Sequence, residues 1–400
     1  MSEAETISRL AAKGDGVTQS GRHVKGAVPG DVVSEDGTIA AGPHRIEPSC
    51  NHFGTCGGCQ LQHADEETLR AFVTDRVVNA ARGQGIEPDR LLDTHLSPPT
   101  SRRRATLHAA RLQNRIALGF REAGSHRIVD LVQCPILAPK LAQYLSPLRD
   151  LVCTLGGKGA VDVGLSLCDQ GLDLNLGHIE LDGLVATEKL LDFARDTKAA
   201  RVSMDQGFGP DIVWEPEPVT ITLSGMPVLM PVGAFLQATR DAEKRMVADA
   251  RAWLKGSSPV VDLFAGLGTF AMALREGRKV LAVEADRAAH LACKAAAARA
   301  PGQIFTLHRD LFRNPLQPSE LERFAAAVLD PPRAGAKAQI AQIAASDLSR
   351  VVYVSCNPSS WSRDAATLVE AGFKLEELRP VGQFRWSTHV ELVSLFTRSS

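Results

Sequence analysis

The pattern of apolar and polar positions changes along the chain and predicts three regions. Residues 5–46 contain short apolar segments separated by turn sequences such as Gly-Asp-Gly and Val-Pro-Gly-Asp, which indicates a small β-barrel. Residues 100–230 contain alternating segments such as ATLHAARL and GLDLNL, with helical patterns near 136–153 and 186–199, and predict a mostly β domain. From about residue 232, apolar strands such as VVDLF and VVYVS alternate with helices, which is typical of a parallel sheet covered on both faces.

A cysteine-rich loop and a helix lie between the first two regions. Residues 50–63, CNHFGTCGGCQLQH, are rich in glycine and cysteine and predict a loop. Residues 64–83 follow the helical period, with acidic residues in the first turn and a glycine at the end. Because 400 residues are enough for two or three domains, we expect domains at residues 1–48, 49–230 and 231–400.

Composition and charge are those of an ordinary globular protein. Hydrophobic residues make up 44% of the chain and charged residues 23%, which allows a sizeable core. No apolar run approaches the ~20 residues of a membrane-spanning helix, and the N-terminus is polar and acidic, so we expect a cytoplasmic protein. A net charge of −1 gives the whole molecule no attraction to nucleic acid, so a polyanion site must be a local patch.

The first strand of the C-terminal region leads into a glycine loop. Residues 265–269, AGLGT, follow this strand, and glycines there let the backbone turn tightly and approach a ligand. Alone, the loop is also compatible with an ordinary strand–helix turn. Glu284 ends the next strand, where a carboxylate is placed to accept hydrogen bonds from ribose hydroxyls. The loop lacks the glycine spacing of NAD sites and the Gly-Lys-Ser/Thr of ATP sites, so we expect another ribose-containing cofactor.

Three reactive side chains stand at or near the ends of later strands. Asp330 precedes Pro-Pro-Arg, Cys356 precedes Asn-Pro, and Glu391 interrupts the apolar run of the last strand. Each has an ordinary structural interpretation, namely a helix cap, a buried small hydrophobe and an edge-strand charge. Open α/β sheets bind ligands at the carboxyl ends of their strands, however, so Asp330 and Cys356 are expected to converge with the glycine loop. A buried carboxylate such as Glu391 is costly unless it has a partner or a function.

Four motifs in this order carry a family resemblance: VDLFAGLGTFAMAL, VLDPPRAG, VVYVSCNPSSWSRD and STHVELVSLF. Together they resemble the catalytic domain of RNA uracil-5-methyltransferases, which use S-adenosylmethionine. Upstream, Phe235-Leu236-Gln237 resembles the F-x-Q motif of that family, LGFREAGSHRIVDLVQCPIL its central domain, and AVPGD the RNA-binding TRAM module. The resemblance implies an α/β fold. It comprises a class I (Rossmann-like) methyltransferase domain at 231–400, a mostly β RNA-binding domain with the cysteine loop at 49–230, and an OB-like (TRAM-like) barrel at 1–48.

The resemblance also implies roles for particular residues. Cys356 would be the nucleophile that adds to carbon 6 of uracil, and Glu391 the base that removes the proton from carbon 5. The implied cofactor and target pocket contains Gln237, Phe264, Thr269, Glu284, Asp310 and Asp330. Two departures are present: Thr239 stands where relatives usually have Asn, and residues 383–386, QFRW, replace the usual D-x-F-P. The second departure lies on the segment expected to approach the substrate, so it bears on target choice.

The chain has eight cysteines, four of which suggest a metal site. Cys50, Cys56 and Cys59 are close in sequence, and Cys134 is distant; four thiolates suit either structural zinc or a [4Fe-4S] cluster, and spacing does not decide. Relatives with this pattern hold [4Fe-4S], so the resemblance implies a cluster with a structural role. The remaining cysteines at 153, 168 and 293 are interpreted as buried small hydrophobes.

Residues 101–127 contain seven arginines against one glutamate and predict a phosphate-binding track. The arginines are at 102, 103, 104, 111, 115, 121 and 127. With the barrel and cluster, which relatives acting on tRNA generally lack, they favour 23S rRNA as the partner; we expect a monomer with no obligate protein partner. Three alternatives remain: a tRNA enzyme, a methyltransferase for another base or for protein, and a non-catalytic metal-containing RNA-binding protein. The second is considered because Asp-Pro-Pro-Arg resembles amino-methylating sites.

Overall fold

The computed structural model describes residues 4–113, 115–155, 159–179, 181 and 183–399, which form four β-sheets. The strands are β1 (Glu5–Leu10), β2 (Gly16–Thr18), β3 (His23–Val24), β4 (Val32–Val33), β5 (Ile39–Ala40), β6 (Arg90–Leu91), β7 (His95–Leu96), β8 (Arg104–Leu112), β9 (Arg115–Gly119), β10 (Val161–Leu167), β11 (Leu172–Gly177), β12 (Arg201–Asp205), β13 (Pro210–Trp214), β14 (Thr220–Leu223), β15 (Met226–Leu229), β16 (Val260–Leu263), β17 (Lys279–Glu284), β18 (Gln303–His308), β19 (Ala326–Leu329), β20 (Arg350–Ser355), β21 (Lys374–Gly382) and β22 (Glu391–Thr397). The helices are α1 (Glu66–Arg82), α2 (Pro139–Ala142), α3 (Leu145–Leu155), α4 (Gly183–Asp196), α5 (Arg240–Trp253), α6 (Thr269–Leu274), α7 (Arg287–Ala297), α8 (Pro318–Leu321), α9 (Lys337–Ala344) and α10 (Pro358–Glu370).

The N-terminal sheet is small and antiparallel, with strand order β3-β2-β1-β4-β5. Its short strands enclose a core built around Ile7 and Val33. The buried carboxylate of Asp31 closes the end of the sheet by accepting hydrogen bonds from the backbone N–H groups of Val28 and Gly42, each at 2.8 Å. This curled half-barrel confirms the predicted OB-like fold.

The central sheet has the order β13-β12-β11-β10-β8-β9 and is antiparallel except for the β11–β12 pair, which α4 connects. Alternate positions such as Leu107, Val163 and Leu174 form a core with α3 and α4 on one face. The opposite face presents polar side chains such as Thr106 and Asn175 to a groove that reaches residues 233–234.

The C-terminal sheet follows the order β18-β17-β16-β19-β20-β22-β21-β6, and β7 also pairs with β21. Strands β16 to β20 are parallel and β22 is antiparallel to both its neighbours. Two hydrophobic cores cover the two faces, one around Trp361 and the other around Met272. The predicted doubly wound α/β architecture is confirmed. Among the described residues, no helix has the length and hydropathy of a membrane span.

The sheet extends beyond the predicted C-terminal region. Helix α1 packs on α10 and β21, and β6 and β7 pair with β21. Residues 66–96 therefore belong structurally to the C-terminal sheet, although the predicted boundaries assign them to the central domain. The β14–β15 hairpin also packs on α6 and α7, before the predicted boundary at 231. Both differences depend on contacts between segments distant in sequence.

Candidate active site

A cleft of about 590 Å³ opens at the carboxyl ends of β16, β17, β19 and β20. This volume is within the range of small-molecule sites. Seven of the eight side chains predicted for catalysis or cofactor binding line it: Gln237, Phe264, Thr269, Glu284, Asp330, Cys356 and Glu391. Glu284, Asp330 and Cys356 meet there because parallel strands bring their carboxyl ends to one edge of the sheet, and Glu391 reaches the same edge as the first residue of the antiparallel β22.

The glycine loop is held in shape by Glu284. The backbone N–H of Gly266 donates to one carboxylate oxygen of Glu284 at 2.7 Å, and that of Asp286 donates to the other at 2.6 Å. Each oxygen keeps further acceptor capacity, so the carboxylate can still accept ribose hydroxyls. The ring of Phe264 lies 5.4 Å from that of Phe312, and both line the cleft, which gives an apolar wall suited to a purine base. These residues fit a nucleoside cofactor.

Asp310 is the one predicted pocket residue that does not line the cleft within the described residues. Its carboxylate accepts hydrogen bonds from the backbone N–H groups of Phe312 and Arg313, at 2.9 and 3.3 Å. It therefore shapes the turn that carries Phe312 into the cleft. Sequence reasoning missed Phe312, although an aromatic residue just after the end of β18 was an available signal.

The Asn-Pro sequence after Cys356 fixes the direction of the chain beyond the thiol. Asn357 is the N-cap of α10, with its side-chain oxygen accepting from Ser359 N–H at 3.2 Å, and Pro358 occupies the first helical turn, where no N–H is needed. The Asn357 amide also donates to the carbonyl of Arg333 at 2.9 Å. The strand tip carrying the thiol is thereby tied to the Asp-Pro-Pro-Arg loop.

Burial and nearby charges control protonation in the cleft. Burial raises the pKa of the Cys356 thiol to about 11, with the Glu391 and Asp330 carboxyls adding to the effect and Arg333 opposing it. Burial raises the pKa of Glu391 to about 7, opposed by Gln383 and by the charge of Arg104. For Asp330, burial raises the pKa well above its ordinary value, and Glu391 adds to this. At neutral pH, Glu391 is thus poised to accept a proton.

The two departures from the family pattern have defined local roles. Thr239 is buried and is the N-cap of α5; its hydroxyl accepts from Ala242 N–H at 3.4 Å and bonds with Ser97 at 2.8 Å. Asn and Thr are both favourable N-cap residues, so this departure preserves the cap. Gln383 is also buried, and its side chain contacts Gln237.

The four predicted cluster cysteines converge, lining one small cavity together with Phe53, Phe120, Leu131 and Ile136. Burial raises the pKa of Cys59 to about 12, with the other three cysteines adding to the shift. Among the described residues, no three of these sulfurs lie within 4.8 Å of one another. Four cysteine sulfurs around one cavity could serve as ligands of a structural zinc ion or of an iron–sulfur cluster.

The remaining cysteines and the arginines correct two predictions. Cys168 and Cys293 are buried as predicted, but Cys153 is exposed on α3. Arg103 does not belong to a phosphate track: it is buried, pairs with Glu243 and donates to the Gln237 carbonyl at 2.9 Å.

The neighbours of Arg103 face the region between the cleft and the cysteines. Arg102 lies between the rings of Phe120 and Phe384, at 5.6 and 5.3 Å. Arg104 lies 4.7 Å from the ring of Phe235. Arg103 directly precedes β8, and strand alternation turns every second side chain to the opposite face. For this reason Arg103 points inward while Arg102 and Arg104 do not.

The doubly wound sheet and its cleft suit a nucleoside-containing cofactor, and the family profile identifies the class as that of the S-adenosylmethionine-dependent methyltransferases. The sequence profile of the family described as tRNA (Uracil-5-)-methyltransferase matches residues 225–399. An uncharacterised RNA methyltransferase of Zymomonas mobilis is 47% identical over 393 residues, 98% of this chain and 99% of that protein. A 23S rRNA (uracil(1939)-C(5))-methyltransferase of Erwinia tasmaniensis is 33% identical over 385 residues, 90% of this chain and 84% of that protein.

The chain therefore belongs to the family of S-adenosylmethionine-dependent RNA uracil-5-methyltransferases, as its motifs predicted. Its fold matches the crystal structure of the Pyrococcus abyssi tRNA (uracil-54, C5)-methyltransferase in complex with S-adenosyl-L-homocysteine. The TM-score is 0.75 at 19% identity, and the match covers 99% of this chain and 100% of that one.

Proposed function

We propose that this enzyme methylates carbon 5 of one uridine in 23S rRNA through a covalent bond between Cys356 and carbon 6 of the base. The observation that carries the proposal is the presence of a thiol, Cys356, and a carboxyl group of raised pKa, Glu391, in the cleft that contains the glycine loop. The rRNA substrate is supported by the likeness to the Erwinia enzyme over most of both chains. The family description favours tRNA as the second candidate.

The chemistry explains why both side chains are required. Carbon 5 of uracil is a weak nucleophile. When the Cys356 thiol releases its proton to solvent and its sulfur bonds to carbon 6, the electrons of the 5,6 double bond move onto the ring as an enolate. Bound S-adenosylmethionine would supply an electrophilic methyl group on a sulfonium, which carbon 5 then accepts. Glu391 next takes the proton from carbon 5, the double bond re-forms, and the carbon 6–sulfur bond breaks to release Cys356 as thiolate. Arg333 provides positive charge that favours this thiolate.

We further propose that Cys50, Cys56, Cys59 and Cys134 hold a [4Fe-4S] cluster. The convergence of the four cysteines on one cavity, the apolar side chains around it and the family resemblance of this cysteine pattern support a cluster. The role we assign is structural. The loop after Cys59 supports the active-site segment, because Gln60 N–H and Leu61 N–H donate to the carbonyl of Trp386 at 2.7 and 2.9 Å.

The test of the covalent step is trapping with RNA that contains 5-fluorouridine. Fluorine at carbon 5 cannot leave as a proton would, so the enzyme should form a denaturant-resistant adduct that carries both RNA and a labelled methyl group. Cys356→Ala should form none, whereas Cys153→Ala, which removes an exposed cysteine on α3, should match the wild type. Labelled methyl transfer without an adduct would refute the covalent mechanism and favour transfer to an amino group.

The substrate is tested separately by mapping 5-methyluridine by mass spectrometry in RNA from a strain that lacks the gene. Loss of the modification from one position of 23S rRNA is the expected result. Loss from tRNA with intact rRNA would overturn the assignment in favour of the second candidate.

A further inference from the structure

Gln383 lies beside the proposed base, on the same face of the sheet. Val381 is directly opposite Glu391 in the β21–β22 pair. Gln383 is the first residue after β21, two positions beyond Val381, and continuation of the strand alternation places it diagonally next to Glu391. Both side chains are buried, at 2% and 4% exposure, so their contacts are not weakened by solvent.

The amide of Gln383 is fixed in one orientation. Its oxygen accepts a hydrogen bond from the backbone N–H of Ala238 at 3.0 Å, and its nitrogen donates to the side-chain oxygen of Gln237 at 3.0 Å. An amide nitrogen carries two hydrogens, and the bond to Gln237 uses only one of them, so a second N–H of Gln383 is available for a neighbouring acceptor. Consistent with this placement, Gln383 opposes the burial that raises the pKa of Glu391.

The contacts continue to the other carboxyl group of the cleft. The side-chain nitrogen of Gln237 donates to Asp330 at 3.0 Å, and its backbone carbonyl accepts from Arg103 at 2.9 Å. Two oriented amides therefore extend from Asp330 through Gln237 to Gln383, which lies next to Glu391. Each amide uses its oxygen as acceptor and its nitrogen as donor, so reversing one would place two donors or two acceptors face to face.

We infer that Gln383 is a positioning residue for proton abstraction: its amide, locked by Ala238 and Gln237, holds the Glu391 carboxylate in the orientation that accepts the proton of carbon 5. This inference rests on the proposed function of Glu391. With Gln237 oriented as it is, a carboxylate at 383 could donate to neither Gln237 nor Glu391 and would add a third acid to the cleft.

The decisive variants are Gln383→Glu, which keeps the shape and removes the donor, and Gln383→Leu, which removes the donor without adding charge. The matched control is Gln339, a buried glutamine on helix α9, whose side chain accepts from the N–H of Leu316 at 2.9 Å and donates to its carbonyl at 3.1 Å. Gln339→Glu and Gln339→Leu carry a similar structural cost away from the cleft. The other titratable or charged groups facing Glu391, namely Arg104, Asp330 and Cys356, stay unchanged in every variant.

The measurement is single-turnover release of tritium from carbon 5 of labelled RNA, with methyl transfer followed in parallel, between about pH 6 and about pH 9. In both Gln383 variants the midpoint of tritium release should move to higher pH, lowering the rate at neutral pH about tenfold for each unit of the move. The methylated RNA–protein adduct should accumulate at neutral pH, while binding of S-adenosylhomocysteine and the unfolding midpoint should follow those of the Gln339 controls.

The outcomes separate this inference from the proposed function. Suppose that the wild type forms a 5-fluorouridine adduct but that tritium release in the Gln383 variants has the same pH midpoint as in the wild type. The role of Gln383 is then refuted and the covalent mechanism stands. An equal shift in the Gln339 variants would also refute it. If the wild type forms no adduct, both the mechanism and the inference are lost. Should Gln383→Glu not fold, Gln383→Leu decides alone.

Discussion

Replacement of Gly268 by alanine is expected to damage the cofactor loop for two separable reasons. Gly268 has a φ of +88°, a conformation in which an L side chain costs about 1–2 kcal/mol. A Cβ at this position would lie 2.7 Å from the sulfur of Cys293, and overpacking in a dense core costs about 1–3 kcal/mol. The combined cost is about 2–5 kcal/mol and should appear as weaker cofactor binding, since the loop forms one wall of the cleft.

Two further variants separate these costs. Gly277 also has a positive φ, +69°, but nothing lies within 4 Å of an added Cβ, so Gly277→Ala carries only the conformational cost. Cys293→Ala in the Gly268→Ala background removes the sulfur atom and should recover about 1–3 kcal/mol relative to Gly268→Ala. The conformational cost should remain in the double variant.

The assay is calorimetric titration of each variant with S-adenosylhomocysteine, together with its unfolding midpoint. Because 1.4 kcal/mol is a factor of ten in Kd, Gly268→Ala should weaken binding about 30-fold or more. The reasoning fails if Gly268→Ala binds as tightly as Gly277→Ala. It also fails if Cys293→Ala restores nothing, because the contact with sulfur would then not be the source of the cost.

Three other changes test different parts of the site. Glu391→Gln should trap a methylated RNA–protein adduct on a denaturing gel, because the proton of carbon 5 has no acceptor; in the wild type, proton release should rise with pH through about pH 7, as Glu391 loses its own proton. Cys59→Ser should abolish the absorbance of the proposed cluster and speed hydrogen exchange in residues 383–391. The control Cys153→Ser should change neither the absorbance nor the hydrogen exchange. Arg103→Ala should lower the free energy of unfolding by about 3 kcal/mol, because it removes a buried guanidinium and leaves the partly buried carboxylate of Glu243 unpaired. Arg104→Ala should instead weaken RNA binding with little loss of stability.

The fold class and most of the cleft could be predicted because they depend on local patterns. Apolar strands alternating with helices predict the doubly wound sheet, and its topology then brings every strand-end residue to one edge. Glu284, Asp330 and Cys356 converge for this reason. The grouping of Cys134 with Cys50, Cys56 and Cys59 in one iron–sulfur site depends instead on the family resemblance, because no local pattern connects residues so far apart in sequence.

The predictions that differ from the structure concern contacts between distant segments. The carboxylate of Glu243 lies 140 residues from Arg103 in sequence, and nothing local identifies it as the partner of that arginine. The packing of residues 66–96 on the C-terminal sheet likewise depends on distant segments, namely β21 and α10. The proposed role of Gln383 could not be predicted from the sequence, because its two hydrogen-bond partners, Ala238 and Gln237, lie about 146 residues away.

One short segment connects the cysteine loop to the proposed base. Trp386 adopts a φ of +63°, a conformation that costs a non-glycine residue about 1–3 kcal/mol unless its surroundings hold it. The two hydrogen bonds from Gln60 and Leu61 to its carbonyl supply that support, and they come from the residues that follow Cys59. On one side of Trp386 the chain carries Gln383, and on the other it enters β22 at Glu391. The geometry of the proposed base therefore depends on the folded state of the cysteine loop, so loss of the proposed cluster is expected to slow proton abstraction through this segment, without any contact between the cysteines and the substrate.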